Sequence, residues 1–318
     1  MQLLQARSVT ELKQQLAPFG DAYLFRGQTR AYNAPDGSPV LNSTFNRKGC
    51  IPPHMLKWSF YANELLRRGG FDIRRPDAMH FNQGILQHYG WRSFFVDLSA
   101  SPAVAAWFAG HAFESQRGWQ FCENSSEELV ILGVQQARYD NYAGAGILYV
   151  LKKELLKESG HVLVSLVDDL TTDCLTRFQI QHAWLASIFL NRRRLDPAAV
   201  VAQITAPAEV FRGLAADAGF YATDDLFPGP DKDKMLQNLL SLPRIEIATP
   251  DPPCPFYLRS LEIPEYQDSF VKHLPVTTTL ASSLWLSDVT GNADRELWLR
   301  VQEDTFYGTP KWTSRCLC

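Results

Sequence analysis

The chain has 318 residues, 46% of them hydrophobic and 20% charged, with a net charge of −3 and a pI near 6.2. That is apolar sequence enough for one large folded domain, alone or with a small companion, and it excludes a chain dominated by disorder. The slight acidity argues against the whole-surface basic field of a non-specific nucleic-acid binder, and with no leader-like start or membrane-length apolar run the expected setting is the cytoplasm, away from membranes.

Ser8 and Glu11 make a capping box ahead of Leu12 and Leu16, which predicts a short amphipathic helix over residues 8 to 17. It feeds a strand from Ala22 to Phe25 that runs out into Arg26, Gly27 and Gln28. Arginine then glycine at a strand end suits an anion: the guanidinium is a planar fork of donors, and glycine lets the backbone approach a ligand. The same pair also serves as ordinary strand-to-turn punctuation. Helical spacing recurs at Leu56, Phe60, Leu65 and Leu66 within 53 to 68, and at Met79, Ile85, Leu86 and Tyr89 within 77 to 89, the second helix ending on Gly90.

Strand character at Phe94 to Asp97 is followed by Ser101-Pro102, a cap and first-turn proline opening the apolar run Ala103 to Ala109. A buried helix is predicted there. Residues 111 to 127 read as a polar surface loop before strands at Leu129 to Val134 and Ile147 to Leu151. Gly144-Ala145-Gly146 precedes a strand instead of following one, so it reads as a turn and not as a phosphate loop. Later strands are predicted at Ala183 to Leu190 and Val200 to Thr205, with a helix from about Pro207 to Ala218 closed by Gly219.

This irregular order lacks the regular repeat of a doubly wound sheet and predicts an α+β fold. Pro250, Pro252, Pro253 and Pro255 mark a stiff linker over 248–255. It divides a domain of residues 1–247 from a β-rich accessory unit at 256–318, with strands at Phe256 to Ile263, Thr277 to Leu286 and Glu296 to Val301. A unit of that size is marginal alone, so it docks on the larger domain or offers a surface to a protein partner.

The six cysteines are scattered without a Cys-x-x-Cys pair and read as free thiols, and the seven histidines lack the His-Glu-x-x-His spacing, so no metal is called for. No Walker sequence and no Gly-x-Ser-x-Gly elbow occurs. The basic clusters Arg192-Arg193-Arg194, Arg67-Arg68 and Arg74-Arg75 are either solvated loops or, if they converge on one rim, a place for nucleic-acid phosphates.

Several blocks, taken in order, resemble the FRG domain family, named for the triplet seen here as Phe25-Arg26-Gly27. They continue through Leu86-Gln87-His88-Tyr89-Gly90, Asp97-Leu98-Ser99-Ala100-Ser101-Pro102-Ala103 to Ala109, Arg177-Phe178-Gln179-Ile180-Gln181-His182-Ala183-Trp184 and Leu226-Phe227-Pro228. The sequence departs from the family at Gly90-Trp91-Arg92-Ser93-Phe94, where Phe94 stands in place of an arginine and Arg92 lies two residues earlier, about 7 Å along a strand. A bacterial toxin or anti-phage defence effector is the setting this resemblance implies.

The same blocks are similar, more distantly, to the ADP-ribosyltransferase fold, which implies a mixed or antiparallel split β-sheet core with flanking helices. It further implies NAD as substrate, gripped by Arg26 with Gly27, Gln28 and Tyr89. Ser99 and Ser101 order the nicotinamide half, and Gln181, on a final strand, stands where an acidic residue handles the ribose hydroxyl. Such a transfer needs negative charge beside the ribose, which glutamine does not carry. Asp97 is the candidate anion or a turn anchor, and His88 is the candidate proton acceptor or a packed core histidine. Ser101 caps its helix, contacts ligand or does both, which leaves Ser99 as the freer hydroxyl, and Gln181 serves the ribose or buried backbone groups. The expected activity is mono-ADP-ribosyl transfer to a nucleic-acid or protein acceptor. The alternatives are an inactive nucleotide-, nucleic-acid- or protein-binding module on the same cleft, or an NAD glycohydrolase.

Overall fold

A computed structural model describes residues 1–44, 66, 78–90, 93–123, 129–168, 177–188, 194–240, 244–247, 256–259, 265–266 and 280–281. The described strands are β1 (Gln2–Gln5), β2 (Tyr23–Gln28), β3 (Phe95–Ser99), β4 (His111–Glu123), β5 (Leu129–Asn141), β6 (Ala145–Lys152), β7 (Leu163–Ser165), β8 (Ala183–Ser187), β9 (Val200–Pro207), β10 (Arg244–Ile247), β11 (Phe256–Arg259), β12 (Glu265–Tyr266) and β13 (Leu280–Ala281). The described helices are α1 (Val9–Leu16), α2 (Ala78–Gln87), α3 (Pro102–Gly110), α4 (Lys153–Glu158), α5 (Arg177–Ile180), α6 (Ala208–Asp217), α7 (Thr223–Leu226) and α8 (Lys234–Leu240).

Seven strands form the main sheet in the order β1-β9-β6-β2-β3-β8-β7. Only the β1–β9 pair is parallel; the other neighbours are antiparallel. The chain is therefore a mixed α/β protein on a mostly antiparallel sheet, as the irregular element order predicts. Alternation along the strands sends Phe25, Leu148, Val150, Ala202 and Ile204 to one face, where α1, α3 and α6 contribute Leu12, Ala105, Ala109, Phe211 and Leu214. The opposite face gathers Leu24, Val96, Leu98, Tyr149 and Ala186 over Leu156 of α4 and Ala199. The central strands β3 and β6 thus read apolar on both faces because helices or turns cover both.

The centre of the sheet is where the site forms. β2 pairs with β6 through six consecutive residues and β3 with β8 through five, yet β2 and β3 meet only at Phe25 opposite Ser99. Past that point the two strands part, and Arg26 and Gly27 on one side face Asp97 on the other across the opening. α3 lies over this split. Ser101 caps it by accepting from Val104 N at 3.3 Å, Pro102 starts it, and it is buried on nearly every side.

A second sheet is built on the β4–β5 ladder, which pairs thirteen residues with thirteen, and β11 and β12 add in parallel along β5. The loop expected at 111 to 127 is thus a strand as far as Glu123. Phe113, Trp119 and Phe121 share one parity in that stretch, but Ser115 and Arg117 interrupt it, so no period-two pattern announces the strand. Gly146, expected in a turn, lies inside β6.

α1 forms with Ser8 accepting from Glu11 N at 3.2 Å, and Glu11 Oε2 reaches back to Arg7 N at 2.8 Å. α2 and α6 are followed by Gly90 and Gly219 at φ of 96° and 90°, the left-handed conformation in which glycine terminates helices. β11 and β13 fall within the strands expected at Phe256 to Ile263 and Thr277 to Leu286. The helix predicted over 53 to 68 lies, apart from Leu66, outside the described residues, as do the 248–255 linker and the strand at Glu296 to Val301. Among the described residues no helix is long and apolar enough to cross a membrane.

Candidate functional site

A cavity of about 240 Å³ opens where β2 and β3 part. Its sheet side is Phe25, Arg26 and Gly27 of β2, Asp97, Leu98 and Ser99 of β3, and Ala183 of β8. The end of α2 brings Gln87 and His88, the turn after α5 brings Gln181, and α3 brings Val104, Ala105 and Phe108. Tyr139 of β5 and Phe227 close it. Tyr139 stacks on Phe227 with ring centroids 5.2 Å apart, and Phe108 meets both edge-on, so one wall is aromatic.

Six of the expected site residues converge here: Arg26, Gly27, His88, Asp97, Ser99 and Gln181. They come from elements more than 150 positions apart in sequence, which the split sheet and α2 bring together. Three others stand elsewhere. Tyr89 is fully buried and donates its hydroxyl to Asp233 Oδ2 at 2.7 Å, with the Arg177 guanidinium 5.0 Å over its ring. Burial and the Asp233 carboxylate push this phenol well above its ordinary range. Ser101 is the α3 cap, and Gln28 lies one residue past the cavity wall on β2.

The converging residues are held in ways the sequence does not show. Arg26 Nη1 donates to Asp97 O at 2.5 Å and so bridges the parted strands. Asp97 Oδ1 accepts from Gln87 Nε2, and Gln87 Oε1 accepts from Ser93 Oγ, which itself accepts from Phe95 N at 2.9 Å. Gln87 is therefore the residue that orients Asp97. It lies beside His88 in the Gln-His-Tyr-Gly block but carries no charge to draw notice. Phe94, where the resemblance leads one to expect an arginine, is a core residue whose ring packs 4.7 Å from that of Phe95.

Two expectations are corrected. Ser99 is not the freer hydroxyl: it donates to Gln181 O at 2.8 Å and accepts from Ser101 N at 2.9 Å, so it ties the end of β3 to the Gln181 turn. Gln181 is not on a strand. It follows α5 in a turn that His182 completes at φ 46°, a left-handed conformation unusual for a residue with a side chain, and β8 starts only at Ala183. Gly27 packs directly against α3. A Cβ there would lie 1.7 Å from Ala105 O and 2.7 Å from Ala109 N, so the space that glycine leaves is filled by α3 and not by a ligand.

His88 Nδ1 lies 3.1 Å from Gln181 Oε1, while Gln181 Nε2 donates to Leu226 O at 2.9 Å. The other ring nitrogen, Nε2, is buried without a protein partner. Burial pushes the imidazole below its ordinary value of 6.5, against the opposing pull of Asp97, so the ring is neutral at physiological pH. The site thus offers a cation on the β2 rim, a carboxyl group, a neutral imidazole and an aromatic wall within one cavity.

Of the basic clusters, only Arg194 falls among the described residues, at 3.9 Å from Asp36. No family model, curated protein or solved structure matches this chain.

Proposed function

We propose that this cavity takes the nicotinamide-ribose half of NAD and that the chain is an NAD-dependent mono-ADP-ribosyltransferase of the FRG type, acting on a macromolecular acceptor. The observation that carries the proposal is the convergence of Arg26, Asp97 and His88 at the split between β2 and β3. About 240 Å³ lies below the roughly 300–1,000 Å³ of sites that enclose whole ligands, which suits half a dinucleotide with its remainder outside.

Arg26 faces the pyrophosphate, where charge-assisted donors are strongest. The aromatic wall of Phe108, Tyr139 and Phe227 takes the flat nicotinamide ring. In the transfer the ribose C1′–nitrogen bond breaks with its electron pair leaving on nicotinamide, and the acceptor's lone pair forms the new bond to C1′. Asp97 stabilises the positive charge that develops on the ribose, doing what a glutamine at 181 cannot. His88 accepts the proton the acceptor loses.

Incubating the purified protein with labelled NAD and cell extract, with and without nuclease, tests the activity and the acceptor class together. Nicotinamide release with nuclease-sensitive label identifies a nucleic-acid acceptor, and nuclease-resistant label a protein. Release without label identifies a glycohydrolase. A second reading, a binding module without turnover, has one observation in its favour: both ends of the Gln181 amide are engaged by His88 and Leu226. Calorimetric titration with NAD separates the two. Arg26→Ala is expected to weaken binding by about tenfold or more. Saturable binding lost in that variant, with no nicotinamide released by wild type, supports the binding module, and no binding at all by wild type sinks both.

A further inference from the structure

Leu226 O can only accept a hydrogen bond, so the Gln181 atom 2.9 Å from it is the amide nitrogen and the opposite atom is the carbonyl oxygen. That oxygen lies 3.1 Å from His88 Nδ1 and also can only accept. The proton of the neutral His88 ring is therefore on Nδ1, and the lone pair is on Nε2, the buried nitrogen to which no protein atom is bonded. Backbone reinforces the arrangement: Gln181 N donates to Arg177 O, and Gln181 O accepts from Ser99 Oγ.

We propose that Gln181 is a positioning residue that fixes the tautomer of His88, holding the proton on Nδ1 and the lone pair on the buried Nε2 of a ring that lines the cavity. Glutamine at 181 is then required as glutamine. A glutamate would set a carboxylate oxygen against Leu226 O, two acceptors facing each other, and would replace a neutral acceptor at Nδ1 with a charged one. The position is a tautomer lock and not the remnant of a lost acid. The tautomer is independent of what the site turns over; the use of Nε2 to accept the acceptor's proton rests on the transferase reading.

The test is nitrogen NMR of full-length protein labelled in its histidines, with His88→Gln supplying the assignment. Wild type at neutral pH is expected to show His88 with a protonated Nδ1 and a bare Nε2, its Nδ1 proton downfield and slow to exchange. In Gln181→Met, which keeps the length but not the acceptor, that proton exchanges fast and the ring shifts towards the Nε2-protonated form favoured by free imidazole. In Gln181→Glu the ring becomes protonated at higher pH than in wild type. Should either variant fail to fold, the wild-type Nδ1 proton and its dipolar contact with the Gln181 side chain give the answer alone. A wild-type His88 protonated on Nε2, or a tautomer unchanged in a folded Gln181→Met, overturns the proposal. A correct tautomer without NAD turnover leaves it standing and counts against the transferase reading alone.

Discussion

Gly27 shows how a residue can be legible and its reason hidden. An arginine-glycine step marks a backbone that something must approach closely, and the sequence favours a ligand because arginine precedes it. In the structure α3 does the approaching, with Ala105 O where a Cβ would be. The two readings separate in one variant. Gly27→Ala is expected to lose about 3 kcal/mol of stability or fail to fold, because a backbone carbonyl cannot swing away as a side chain can. Gly20→Ala, where no atom lies within 4 Å, should change stability by less than about 0.5 kcal/mol. Urea titration measures both; a Gly27→Ala protein of wild-type stability that has lost only its ligand restores the ligand reading. The ionisable members of the site, Arg26, His88 and Asp97, stand out in the sequence by their chemistry. Gln87 does not, because its function is to hold a neighbour, and only the Ser93 to Gln87 to Asp97 chain of bonds reveals it.

Elements set by local signals form where the sequence places them. Ser8, the Ser101-Pro102 pair and Gly219 fix helix ends through bonds reaching three or four residues, so α1, α3 and α6 can be read directly. β4 cannot, because its ladder is supplied by β5 and polar residues in half of its positions resemble a loop. β1, β7 and α5 are too short for periodicity to register. Ser101→Ala removes the acceptor for Val104 N and should cost about 1 kcal/mol in urea titration. Since Ser101 caps α3 and does not line the cavity, NAD affinity should stay within about twofold of wild type by calorimetry. A tenfold loss of affinity at unchanged stability would return Ser101 to the binding set.

For the whole molecule, the element order carries the α+β class but not the strand order, since neighbours such as β1 and β9 lie some two hundred residues apart and no local pattern couples them. That long-range closure has an electrostatic consequence, because it desolvates the imidazoles of His88 and His111. His88 is enclosed by α2, the Gln181 turn, Asp97 and Arg177, and His111 stacks on Trp107 at 4.1 Å with Arg212 nearby. Burial is the leading cause at both, and each is held below the ordinary value of 6.5. The unfolded chain takes up these protons at about that ordinary value and the folded chain resists, so unfolding consumes protons as the pH falls. The stabilising contribution is therefore complete above about pH 6.5 and is lost as pH falls through the folded values. Melting temperature measured from about pH 8 to about pH 5 should be flat at first and then decline, well above the range where carboxylates titrate. His88→Gln removes one of the two contributions, so its curve should fall less steeply over the same interval. A wild-type melting temperature that holds constant or rises on acidification to about pH 5 would mean that the fold leaves both rings free to take up protons.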